Sequence, residues 1–156
     1  ASYNEVSETV NIGSTGLVTF SRVYRAKMAD TVNTADVTLS MGGTVAGAIL
    51  AGNAQSLMAV YTVPAGKTAY LLSMQMGSDK ASTNASLQYR LKVRDNDNGG
   101  IFQIKGINYA AGGQNVTHDY AIPLKFTQKS DIRIDVVATS GGQTCSATFD
   151  LILVDN

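Results

Sequence analysis

Leu87-Gln88-Tyr89-Arg90-Leu91-Lys92-Val93-Arg94, followed by Asp95-Asn96-Asp97-Asn98-Gly99-Gly100, decides the fold class. Apolar side chains alternate with Gln88 and three cations, and a period of two puts the two sets on opposite faces of a strand. The Asn98-Gly99 dipeptide is hairpin chemistry, because glycine reaches positive φ without steric cost. A hairpin is predicted here, with its return strand over residues 101–105.

The same period recurs on both sides of this hairpin. Ile132, Ile134 and Val136 alternate with Arg133 and Asp135, and Cys145, Ala147, Phe149, Leu151 and Leu153 alternate with Ser146, Thr148, Asp150 and Ile152. On that parity Cys145 is expected to be a buried small apolar residue. Tyr70, Leu72, Met74 and Met76 are read as one face of a central strand over 69–77, opposite Leu71, Ser73 and Gln75. A type I turn at Val63-Pro64-Ala65-Gly66 separates it from a strand over 57–62. Towards the N-terminus Val6, Val10 and Ile12 share a parity, Val18, Phe20 and Tyr24 another, and Val37, Leu39 and Met41 a third. Residues 44–56 are rich in alanine, but Gly47 and Gly52 would each cost a helix roughly 1 kcal/mol. Strand plus loop is predicted there instead.

Glycine pairs at Gly42-Gly43, Gly99-Gly100, Gly112-Gly113 and Gly141-Gly142 mark turns between these runs. Turn signals about every ten residues suit an antiparallel all-β fold rather than alternating βαβ units. The predicted architecture is a two-sheet, jelly-roll-like sandwich of about ten strands. It is one domain over 1–156, in which residues 1–56 suit docking or extending a sheet.

Composition narrows the function. Twelve Lys plus Arg balance twelve Asp plus Glu in 156 residues, so no global field steers the chain to nucleic acid or anionic lipid. Cys145 is the only cysteine, which excludes an internal disulfide and a multi-cysteine metal site. The most apolar run, 45–63, is broken by Gly47, Gly52, Asn53 and Gln55, so a soluble protein without a membrane partner is expected. The start at Ala1 shows neither a basic leader nor an apolar core, and a complete small protein that has lost an initiator methionine is expected.

Each chemical motif has a plainer reading. Gly66-Lys67-Thr68 ends like a phosphate-binding loop, but Tyr61 stands where that motif needs glycine and a strand follows instead of a helix. Asp95 and Asp97 are spaced as in calcium loops, yet Gly99 and Gly106 occupy positions that need an acid or amide and a bidentate Glu. His118 is the single histidine, and no Gly-x-Ser-x-Gly elbow is present. Ten of the twelve acids are Asp, many beside turn residues, so no catalytic, metal or cofactor site is predicted. The one concentrated charge feature is the stripe Arg90, Lys92 and Arg94, extended by Lys105 if the hairpin pairs. It is read as a docking face for an acidic protein partner, or as a solvated face closed by cross-strand pairs to Asp135 or Asp150.

Three stretches carry a family resemblance. Met58-Ala59-Val60-Tyr61-Thr62-Val63-Pro64-Ala65-Gly66-Lys67-Thr68-Ala69-Tyr70-Leu71 resembles small structural proteins of tailed bacteriophages. Pro123-Leu124-Lys125-Phe126 with Lys129-Ser130-Asp131-Ile132-Arg133, and the ending Ala147-Thr148-Phe149-Asp150-Leu151-Ile152-Leu153-Val154-Asp155-Asn156, are similar to the same group. The likeness covers roughly residues 57–156. It implies a non-enzymatic virion component, assembled in the bacterial cytoplasm, that binds the major capsid protein or other virion proteins. The expectation is a capsid decoration or cement protein acting as a homo-oligomer, taken as a trimer. A receptor-binding head or tail fibre is the alternative, and a polysaccharide-degrading enzyme a third. On this reading the sequons at Asn84 and Asn115 are accidental.

Overall fold

A computed structural model of the chain describes residues 3–79, 86–111, 113–138 and 144–156. The chain divides into two compact units, residues 3–58 and 59–156, which are taken in turn. All regular structure among the described residues is antiparallel β, in nine strands against the ten or so expected.

The first unit holds one hairpin, β1 (Val37–Met41) and β2 (Thr44–Ile49). Its turn is Gly42-Gly43, with φ of +56° and +79°, a pair of positive angles that L side chains rarely adopt. The predicted helix-free reading of residues 44–56 therefore holds, as does the strand at Val37, Leu39 and Met41. Asn33, buried, ties the hairpin's end to the loop after it: its Nδ2 donates to the carbonyls of Ala35, Ile49 and Leu50, and its Oδ1 accepts from Ala54 N at 3.1 Å. The two earlier alternating runs form no strand, which corrects the expectation for Val6 to Ile12 and Val18 to Tyr24. Alternation gives a strand only where another strand supplies the ladder, and among the described residues none is paired to these. What holds them is local: the Glu8 carboxylate accepts from Leu17 N and Val18 N, and Tyr24 Oη donates to Glu5 at 2.6 Å. Burial and that bond push the Tyr24 phenol up to about 12.

The second unit is a sandwich. One sheet has the order β3 (Val60–Thr62), β8 (Ser130–Ala138), β5 (Ser86–Asp95), β6 (Gln103–Ala111). The other has β7 (Asn115–Phe126), β4 (Lys67–Ser78) and β9 (Cys145–Asp155), with β4 central as expected. Between them lie Leu87, Tyr89, Leu91 and Val93 of β5 against Ala69, Leu71, Met74 and Met76 of β4, with Ala110, Phe126 and Ile132 beside them. The β5 alternation is realised residue by residue, and the predicted hairpin to β6 forms, with Gly99 and Gly100 at φ of +93° and +64°. Tyr89 spans the gap, its hydroxyl donating to the Gly77 carbonyl, and burial pushes its phenol up. A Cβ at Gly77 would meet the tip of the exposed Asn115 side chain, which can swing aside.

Three sequence expectations change in this unit. The face assigned to β4 is half right: Met74 and Met76 point inward, but a bulge between Leu71 and Ser73 flips the parity, so Ala69 and Leu71, not Tyr70 and Leu72, fill the core. The proline turn sits one residue later than predicted, closed by Lys67 N to the Pro64 carbonyl at 3.3 Å, because Gly66 takes φ +76°. Cys145 is exposed: its parity is the core's, but the core ends on this strand at Ala147. The turn pair Gly141-Gly142, Gly112 and Asn84 lie outside the described residues.

Leu91, fully enclosed between the sheets, sets a first test. Leu91→Ala is expected to lower the unfolding free energy in urea by about 2–5 kcal/mol. Ile122→Ala, at an exposed position on β7, should change it by no more than about 0.5 kcal/mol.

Candidate interaction surface

The predicted basic stripe lies on the outer face of the four-stranded sheet, because the apolar residues of β5 take the inner one. Register sets what each cation meets. Arg90 stands across from Asp135, Lys92 from Arg133, and Arg94 from Asp131. Lys92 Nζ reaches diagonally to Asp135 Oδ2 at 2.7 Å, and the Arg133 guanidinium shares the same carboxylate through Nη2 at 3.1 Å. Arg90 donates through Nε to Gln88, whose own amide donates to Tyr109 Oη at 2.8 Å. Lys105 is not part of the row: it sits where the β5–β6 register slips between Leu91 and Lys92, and its ammonium donates to Gln103 at 2.8 Å. A bulge re-aims the residue it contains, which the sequence alone did not mark.

Arg94 belongs to a denser cluster that sequence reasoning missed. Asp131, 6% exposed, accepts from Arg94 Nε at 2.9 Å, from Asn96 Nδ2 at 3.0 Å and from Thr62 Oγ1 at 2.7 Å. The guanidinium centres of Arg94 and Arg133 stand 4.6 Å and 4.1 Å from the Phe102 ring centroid, within cation–π range. Cross-strand pairing thus occupies much of the stripe, in the way one of the two readings anticipated through Asp135. No sequence signal reports which acid will face which cation, because that depends on register.

The acidic hairpin tip is turn chemistry. Asp95 accepts from Asn98 Nδ2 at 2.7 Å, Asp97 N at 3.0 Å and Thr127 Oγ1 at 3.2 Å, while Asp97 pairs with Lys129 at 2.9 Å. The Asn98 amide above all, with the Asp97 N–H and the Thr127 hydroxyl, holds the Asp95 carboxyl below its ordinary value of 3.8. Beside it Val93, Ile101, Gln103 and Lys105 line a shallow hollow. His118 lies on β7 with its ring edge-on to Tyr120 at 4.6 Å. Lys67 pairs with Asp155 at 2.6 Å, and the Thr68 hydroxyl donates to Asn156 at 2.6 Å, so the Gly66-Lys67-Thr68 side chains serve strand pairing. Among the described residues no three His, Cys, Asp or Glu side chains gather as a metal site would require.

The three stretches that carry the phage resemblance meet at one corner of the sandwich. Val63 N donates to Ser130 O at 2.9 Å and Lys129 N to Val63 O at 2.8 Å. Gly66 N donates to Gln128 Oε1 at 2.8 Å, and Asn156 N to Gly66 O at 3.0 Å. Comparison with protein-family models, with curated proteins and with solved structures finds no match.

Two outcomes follow. Asp131→Ala, which removes the acceptor shared by the Arg94 guanidinium and the Thr62 hydroxyl, is expected to cost about 3 kcal/mol in chemical unfolding, and Lys92→Met less than about 1 kcal/mol. Because the folded pKa of Asp95 is depressed, its contribution is complete above 3.8 and disappears as pH falls through the lower folded value. The gap in Tm between the wild-type chain and Asp95→Asn should therefore close on acidification below about pH 4. A gap that stays constant would show that the tip carboxylate is not held in its charged form.

Proposed function

We propose that this chain is a non-enzymatic structural subunit of a tailed-phage virion, a decoration protein that binds the capsid shell as a homotrimer. One observation carries the reading: of the three stretches similar to phage structural proteins, the second and third are distant in sequence from the first yet both hydrogen-bond to it at a single corner. Their meeting there supports reading the three stretches together as parts of one unit. The zero net charge fits a subunit that no global field steers to its partner.

Attachment in this reading is multivalent. Each copy makes modest contacts with neighbouring shell subunits, and linkage among copies turns them into lasting adhesion. The outer face of β5 and β8 offers cations already held in place by Asp131 and Asp135, a preorganised surface for an acidic partner strip. A receptor-binding fibre would instead present aromatic side chains at loop tips. Of the seven tyrosines only Tyr109 is exposed, and it lies within β6.

Cryo-electron microscopy of particles made without this chain should show density missing from the shell surface. Loss of density at the tail, with an unchanged shell, would reject decoration.

A further inference from the structure

The sandwich has four outer strand edges, and three of them are blunted. A free edge invites pairing by another chain, and proteins discourage it with short strands, bulges, proline and lysine. On the four-stranded sheet, β3 has three residues and β6 carries the register slip with Lys105 in it. On the three-stranded sheet, β7 contains Pro123, and its pairing to β4 jumps from Leu124 to Asp119. The fourth edge, β9, has none of these devices. It runs unbroken for eleven residues, Cys145–Asp155, without Pro, Gly or Lys, and among the described residues it pairs only with β4. Ile152 and Val154 lie exposed along it.

The first unit holds a segment that suits this edge. Residues 18–25, Val-Thr-Phe-Ser-Arg-Val-Tyr-Arg, contain five β-branched or aromatic residues and no Gly, Pro, Asp or Asn, yet form no strand. Charge also matches. From Thr9 to Ala29 the chain has Arg22, Arg25 and Lys27 and no acid, while β9 has Asp150 and Asp155 and no cation. With Val18, Phe20 and Tyr24 turned to the core side, Arg22 shares their face, so the match rests on Arg25, which falls on the same outer face as Asp150. Among the described residues, 18–25 belong to no strand and the outer side of β9 has no strand paired to it.

We infer that residues 18–25 of a second copy add to the outer edge of β9 as an antiparallel strand, each copy giving its segment to the next until the oligomer closes. The added strand completes an eight-stranded pattern. Counted first in chain order, before β3 to β9, it gives sheets ordered 1-8-3-6 and 2-7-4-5, the two layers of a jelly roll. The inference rests on the preceding reading only in making the chain a protein-binding subunit. Self-association is measured on purified chain and attachment on particles, so either can fail alone.

The test is sedimentation of the full-length chain over a wide concentration range, with four variants. Wild type is expected to sediment as a closed oligomer of 16.4 kDa chains. Arg25→Asp or Asp150→Arg alone should weaken association about tenfold or more, because each places like charges side by side. The double variant, with the charges exchanged, should recover to within about threefold of wild type. Val23→Pro, which cannot donate to a ladder and lies outside every strand, should abolish association while leaving the circular dichroism of the sandwich unchanged. A wild-type monomer at every concentration would overturn the inference, whether the edge is filled by the chain's own segment or awaits a foreign partner. Association indifferent to all four variants would overturn it equally.

Discussion

Everything in the second unit hangs on the contact between the inner faces of β4 and β5. Leu87, Tyr89, Leu91 and Val93 meet Ala69, Leu71, Met74 and Met76, and each is nearly dry. Burying a side chain of this size is worth roughly 1.5–3 kcal/mol, which makes this slab the main driving term of the sandwich. The remaining features follow from it. Turning those faces inward forces Arg90, Lys92 and Arg94 outward, where register brings Asp131 and Asp135 to them. Centring β4 in its sheet leaves β7 and β9 as edges.

The parts of the fold that were legible in the sequence are those whose alternation is satisfied by neighbours on both sides. β5 is flanked by β8 and β6, so its pattern and its environment agree along its length. β4 shows how a pattern misleads: nothing in Tyr70-Leu71-Leu72-Ser73 announces the bulge, and one inserted residue reverses which side chains face the core. Val6 to Ile12 and Val18 to Tyr24 show the converse, a correct period without a ladder. Period reports what a strand would bury; pairing decides whether there is a strand. Cys145 had the right parity at the wrong height.

The surface was legible only as composition. Arg90, Lys92 and Arg94 were visible as a row, but their partners depend on the β5–β8 register, and the same holds for the stacking of Arg94 and Arg133 on Phe102. Lys105 left the row through the bulge beside Leu91. The Asp131 cluster gathers Thr62, Arg94 and Asn96 from two other segments of the chain, a convergence no local motif encodes. The structure thus turns a stripe of charge into a mostly self-paired face and moves attention to the backbone groups of β9, which composition cannot display.

The central claim is that the β9 edge is a binding surface for another copy of the chain. Hydrogen exchange of the β9 amides that face away from β4, followed as the protein is diluted, tests it most directly. Protection that is strong in concentrated solution and fades on dilution is the predicted result. Amides that exchange at one rate at every concentration would contradict it.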